Sequence, residues 1–264
     1  MGSALLHGIL EAGLATPASI RAYDVDLQRL QALCEATGIQ AARDNADAGR
    51  AEVVILAVKP NMVRAALADF GADLRPPQIL ISIAAGVRTR QLLQWTALPA
   101  GRVFRTMPNT PCLVKQGATA LAVSPESDAE AAAVVRGLLS SVGLVVDLPE
   151  DLLDAVTGLS GSGPAYVFLM IEALVEAGVA VGLPRETALE LAGQTALGAA
   201  TMLRQTGSDP ATLRQQVTSP GGTTMAGLQV LEEAGFRGII ADTVAAATRR
   251  SRELADQLEE TAHE

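Results

Sequence analysis

EVVILAVKP, residues 52–60, is an apolar run stopped by a lysine and a proline. Its length suits a strand, and with no alternating polar residue both strand faces must be buried. Strands of that kind belong to parallel sheets covered by helices on both sides. QILISIAAGV (residues 78–87) repeats the pattern and ends at a glycine, after a helical pattern over 62–70. GRVFRTMPNTP (101–111) is a strand running into a proline-broken loop. ATALAVSP and GLVVDLP supply two more strands, on either side of a helix over about 126–141. Upstream, SIRAYDVD (19–26) is expected to be a short strand with acidic residues at its end, followed by a helix over 27–36. An opening helix precedes it. Strands alternating with helices imply a doubly wound, mainly parallel sheet.

From residue 151 onward the alternation stops. Helical patterns cover about 162–182, 185–205, 210–217, 223–234 and 238–263, with Gly and Pro at the junctions. The expected architecture is a Rossmann-like α/β domain over 1–150, then an all-α domain over 151–264. The apolar helices of the second domain cannot easily bury all their faces within it, which argues for oligomerisation.

Composition narrows the function. The 264 residues are 49% hydrophobic but only 3% aromatic, so Ala, Val, Leu and Ile must build the core. The net charge of −9 argues against nucleic acid or an anionic membrane as a partner, since both call for a basic face. Lys59 and Lys115 are the only lysines. Cys34 and Cys112 have no metal-site or disulfide spacing, read as two buried thiols and fit a reducing, cytoplasmic compartment. His7 and His263 sit near opposite ends with no catalytic neighbour in sequence, and are expected to be structural or solvated. No metal site is expected. The apolar stretch 166–183 is long enough to suggest a membrane span, but Glu172 and Glu176 near its middle would each cost a few kcal/mol in a bilayer. A buried or subunit-facing helix is the better assignment.

Ligands of an open parallel sheet gather beyond the carboxyl ends of its strands. That rule selects Ala57, Val58, Lys59 and Pro60, then Ala84, Ala85 and Gly86, and finally the loop containing Asn109. Small residues there let a nucleotide approach the backbone, although they would equally serve tight turns. A dinucleotide fold should begin with a strand and Gly-x-Gly-x-x-Gly, whereas this sequence begins as a helix already under way, which suggests a start further upstream. Asp24 lies at about the distance from Gly2 at which an acidic residue accepts from an adenosine ribose 2′-hydroxyl. A carboxylate there repels a 2′-phosphate and leans towards NADH; capping the turn is its other use.

VILAVKP, ISIAAGV, FRTMPNTP, GLSGSGPAYVF and VTSPGGTTMAGL occur in an order and spacing that resembles pyrroline-5-carboxylate reductase, the last enzyme of proline biosynthesis. The resemblance covers residues 2–254. It implies NAD(P)H-dependent reduction of 1-pyrroline-5-carboxylate to L-proline, with NADPH or NADH as cofactor. By this resemblance Gly2 matches the last fingerprint glycine, and Asn45 an asparagine beside the adenosine ribose. The 57–60 and 84–86 loops match cofactor contacts, and Asn109 lies near the nicotinamide. The family's preceding strand with Gly-x-Gly-Asn has no counterpart here. The resemblance also implies a homodimer or larger homo-oligomer formed through 151–264.

The substrate so implied is a small cyclic imine with one carboxylate. Backbone amides of Gly221, Gly222 and Thr223 at a helix start can hold that carboxylate, and Ser219 can add a hydroxyl. Thr224 can hydrogen-bond the ring nitrogen and is the candidate catalytic residue. The same residues would also make an ordinary helix cap. GLSGSGPAY (158–166) is expected to wall a pocket without doing chemistry. Glu172 and Glu176 read as a hydrated stripe or subunit contact. Two other functions fit the pattern: reduction of a different cyclic imine, and a non-catalytic helical scaffold with a degenerate nucleotide fold.

Overall fold

A computed structural model describes residues 1–260. The chain opens with α1 (Gly2–Glu11), β1 (Arg21–Ala22), α2 (Leu27–Thr37), β2 (Gln40–Ala41) and α3 (Asn45–Ala48). There follow β3 (Val53–Leu56), α4 (Val63–Ala68), β4 (Ile79–Ser82), α5 (Thr89–Gln94) and β5 (Val103–Met107). β6 (Gly117–Ala122), α6 (Ala129–Ser140) and β7 (Gly143–Leu148) complete the α/β part. The remainder is helical: α7 (Leu153–Val156), a π-helical turn over Thr157–Gly161, α8 (Gly163–Ala180), α9 (Arg185–Thr206), α10 (Pro210–Gln216), α11 (Thr223–Glu233) and α12 (Phe236–Glu260). His263 lies outside the described residues.

β3 to β7 form one sheet in sequential order, parallel throughout except for the antiparallel β5–β6 pair. Alternate residues of β4 feed two cores. Ile79 and Ile81 join Phe104 and Leu121 beneath Leu5 of α1 and Val135 and Leu139 of α6. Leu80 joins Val54, Leu56 and Val103 against Val63 and Leu67 of α4 and Leu92 of α5. Covering a strand on both faces is what its unbroken apolar run requires.

Several expectations need correction. The strand expected over 19–26 is a two-residue strand, β1, preceded by a 3-10 turn over Pro17–Ser19. Its partner β2, parallel to it, and helix α3 had no clear pattern, because a two-residue strand carries no periodicity. α5, only six residues long, was missed for the same reason. Cys112 is buried, but Cys34 is only partly so, hence the two thiols are not alike.

Compactness divides the chain into two units: Met1–Ser162 together with the stretch from Ala245 onward, and Gly163–Val244. α12 therefore begins in the second unit and ends in the first. In the second unit α8 and α9 pack as a pair around Val175, Ala188 and Ala192. Gly178 allows that approach, since a Cβ there would lie 3.1 Å from the Ala188 Cβ. The core stops there: Phe168 and Leu169 are each 66% exposed, and Leu191 and Leu197 are exposed as well.

Gly143 opens β7 with φ of +148°, and a Cβ on it would lie 2.1 Å from the Gly117 carbonyl oxygen of β6. Strain and overpacking then act together. Gly143→Ala is expected to lower unfolding stability by about 2–4 kcal/mol in urea titration.

Candidate active site

The register of β3, β4 and β5 sets three loops side by side. Val53 to Leu56 pair with Ile79 to Ser82, and Leu80 to Ser82 pair with Val103 to Arg105, all parallel. The carboxyl ends of these strands therefore share one edge of the sheet. The loops leaving that edge hold Ala57 to Pro60, Ala84 to Gly86, and Asn109. Ala57, Lys59 and Ala85 are exposed, while Ala84 and Gly86 are buried.

α1 begins against the first of these loops. A Cβ on Gly2 would lie 2.9 Å from the Ala57 Cβ, closer than real side chains approach. No side chain caps the helix start at Met1. Its first amides, which have no intrahelical partner, open beside Ala57. Close helix–strand packing, open amides and small loop residues fit the phosphates of a dinucleotide.

The other expected cofactor residues show mixed geometry. Asp24, just after β1, accepts from the Asp26 amide at 2.9 Å and lies 3.5 Å from the Arg29 guanidinium. Its carboxylate therefore caps a turn, while remaining one-third exposed. Asn45 starts α3 and donates to Asp69 at 2.8 Å. Asn109 is nearly buried, and both ends of its amide are engaged. Its Oδ1 accepts from the Ala118 amide at 2.9 Å, and its Nδ2 donates to the Ser160 carbonyl at 3.1 Å. Asn109 thus holds its loop in shape.

That bond also explains GLSGSGPAY. The π-helical turn presents the Ser160 carbonyl, and Gly161 sits where a Cβ would be 2.7 Å from Met107 Cε of β5. The stretch braces the loop after β5. Two buttresses had no visible sequence signal. Arg105, nearly buried in β5, lies 3.2 Å from Glu150, whose same oxygen accepts from the Thr89 amide at 2.7 Å. Arg88 reaches Asp256 and Glu259 near the end of α12. Partial burial works against the Arg88 charge, but hydrogen bonds and attraction from the two carboxylates outweigh it and hold the group above its ordinary pKa.

The other candidate residues lie in the second unit. Gly222 is the N-cap of α11, and no side chain caps that helix. Gly221 has φ of +69°. The Gly222 amide closes the turn onto the Ser219 carbonyl at 3.0 Å, and a Cβ on Gly222 would lie 2.3 Å from Ser219 Oγ. Ser219, Gly221, Thr223 and Thr224 are exposed and Gly222 is partly so. Among the described residues no cluster of His, Cys, Asp and Glu could hold a metal ion.

Comparison with known proteins matches residues 150–254 to a model described as pyrroline-5-carboxylate reductase dimerisation. Residues 1–86 match one described as NADP oxidoreductase, coenzyme F420-dependent. Pyrroline-5-carboxylate reductase of Arabidopsis thaliana is 42% identical over 256 residues, spanning 96% of this chain and 92% of the relative. The chain belongs to the pyrroline-5-carboxylate reductase family. The solved reductase of Coxiella burnetii superposes with a TM-score of 0.90 at 38% identity, covering 96% of this chain and 94% of that one. The Plasmodium falciparum enzyme, solved with NADP bound, superposes at 0.84 with 30% identity, covering 97% and 94%. The activity is NAD(P)H-dependent reduction of 1-pyrroline-5-carboxylate to L-proline, and the enzyme is a homo-oligomer. The scaffold reading falls with that result.

Gly2→Val places a branched side chain where even a methyl meets Ala57. The variant is expected to raise the KM for the dinucleotide by about tenfold or more, while the KM for pyrroline-5-carboxylate stays within about twofold.

Proposed function

We propose that the two halves divide the reaction, with residues 1–150 holding the dinucleotide and residues 151–264 holding the substrate and forming the subunit contact. The observation that carries this reading is the uncapped start of α11. A serine- and threonine-rich turn whose side chains leave the helix uncapped is poorly explained as a cap. It is well explained as a host for a small anion.

In this reading the amides of Gly221 and Thr223 and the Ser219 hydroxyl hold the substrate carboxylate, while the Gly222 amide, closed onto the Ser219 carbonyl, keeps the turn in shape around it. Thr224 hydrogen-bonds the ring nitrogen and fixes the plane of the C=N bond. Gly2, Asp24, Asn45, the 57–60 and 84–86 loops, and the Asn109 loop hold the cofactor, which when bound supplies a hydride to the imine carbon. The ring nitrogen carries its proton through to the product amine. Residues that orient the two reactants therefore suffice, without a histidine or a carboxylate pair.

Asp24 favours NADH in this scheme, because its carboxylate accepts from a ribose hydroxyl and opposes a phosphate. The exposed apolar faces of α8 and α9 are covered by a second copy, giving a homodimer or a larger assembly through 151–264. Among the described residues one helical stretch, Glu150–Ala180, is apolar and long enough to cross a membrane, and its exposed faces suit a subunit interface instead. The enzyme is assigned to the cytoplasm, without nucleic-acid or membrane partners.

Thr224→Ala is expected to lower kcat by about 10- to 100-fold while the NADH dissociation constant stays within about twofold. Unchanged turnover would remove Thr224 from the mechanism. Asp24→Asn is expected to shift the ratio of kcat/KM for NADH over NADPH towards NADPH by about tenfold. A ratio that does not move would assign Asp24 to the turn alone.

A further inference from the structure

The loop after β4 has little of its own to hold it: the Ser82 hydroxyl accepts from the Ala84 amide at 3.3 Å, and beyond that its residues bring no polar side chain. Ala84, Ala85 and Gly86 carry no side-chain group able to fix it, and glycine costs the most backbone entropy to order. Gly86 adopts φ of +78°, open to glycine and strained for other residues. The remaining order, at Ala85 and Gly86, must come from neighbours, and the last turns of α12 supply them.

A Cβ on Gly86 would lie 3.2 Å from Leu258 Cδ1 and 3.5 Å from the Ala255 Cα, so the helix closes directly over the glycine. Two residues on, Arg88 donates through Nη1 to Glu259 at 2.6 Å and through Nη2 to Asp256. Arg90 joins the same Glu259 carboxylate. The Arg88 side chain is 26% exposed and that of Glu259 18%. Ser251 donates to Asp154 at 2.6 Å and pins the same helix further back along its length. A cation at a helix C-terminus also meets the negative end of the helix dipole. Isolated surface ion pairs stabilise little, but one arginine bridging two carboxylates, with a second arginine sharing one of them, is a network.

We propose that Arg88 is a positioning residue: its pairing with Asp256 and Glu259 clasps the end of α12 onto residues 84–86 and holds that loop in the form that accepts the nicotinamide cofactor. The proposal rests on the assignment of 84–86 to cofactor binding. It also makes the end of α12, which belongs to the same compact unit as the loop, a determinant of cofactor affinity.

The test uses the full-length enzyme and follows NADH binding by fluorescence, both KM values, kcat and Tm. Arg88→Gln and, separately, Asp256→Asn with Glu259→Gln are each expected to weaken NADH binding by about three- to tenfold. The kcat at saturating cofactor and the KM for pyrroline-5-carboxylate should stay within about twofold, and combining the variants should add little. Arg88→Lys should recover part of the loss. The carboxylate variant discriminates by sign. Removing two negative charges would strengthen binding of an anionic cofactor if only the overall field mattered, whereas loss of the clasp weakens it. Unchanged or tighter NADH binding in that variant overturns the proposal. So does a parallel fall of kcat, both KM terms and Tm, which marks a merely structural role. Ala85→Glu tests the underlying assignment separately: its charge on the exposed loop should abolish NADH binding. Intact binding there overturns the assignment, and the clasp with it.

Discussion

Close approach of backbone to backbone at the edge of a parallel sheet is the constraint on which this molecule depends. β3, β4 and β5 are buried on both faces, so helices must lie tight against the sheet, and their carboxyl ends must leave as short loops of small residues. Gly2 against Ala57 shows how little room remains. The same crowding that makes a dry core brings helix amides and loop backbone together where a phosphorylated ligand can meet them. With the cofactor placed there as proposed, packing and binding are one requirement at that edge.

Side chains that brace these loops then acquire functional weight. Asn109 spends its amide on Ala118 and Ser160, and the π-helical turn carrying Ser160 packs on Met107. Arg105 and Glu150 anchor the Thr89 amide. A loop built from alanine and glycine has no side chains with which to order itself, so its conformation is set by polar struts arriving from distant parts of the chain. Ordering entropy, met by these struts during folding, is then not charged to the cofactor when it binds.

Legibility in the sequence followed the strength of each periodic signal. Residues 52–60 and 78–87 announced buried parallel strands, and β3 and β4 lie within them, though shorter at both ends. The long helices of the second half were visible because 18 to 25 residues carry several turns of pattern. β1 and β2, two residues each, carry none, and α3 and α5 little more. The three loops could be set at one edge of the sheet because the strand-end rule depends only on topology. The buttresses could not: nothing near Arg88 in the sequence points to Glu259, and nothing around Arg105 says that a charged residue in a strand is nearly buried. For Asp24 the sequence left a ribose contact and a turn cap open, and the turn cap beside Arg29 is what the structure contains.

The account centres on positioning: two reactants are held in register by backbone amides and hydroxyls, without a charged acid or base. Initial rates with pyrroline-5-carboxylate fixed and NADH or NADPH varied, measured from about pH 6 to about pH 9, test this most directly. The account predicts saturable oxidation of both cofactors, a higher kcat/KM with NADH, and no enzyme group titrating in kcat, where only the substrate's imine nitrogen ionises. A kcat governed by an ionising side chain of the protein, or no oxidation of either cofactor, would contradict it.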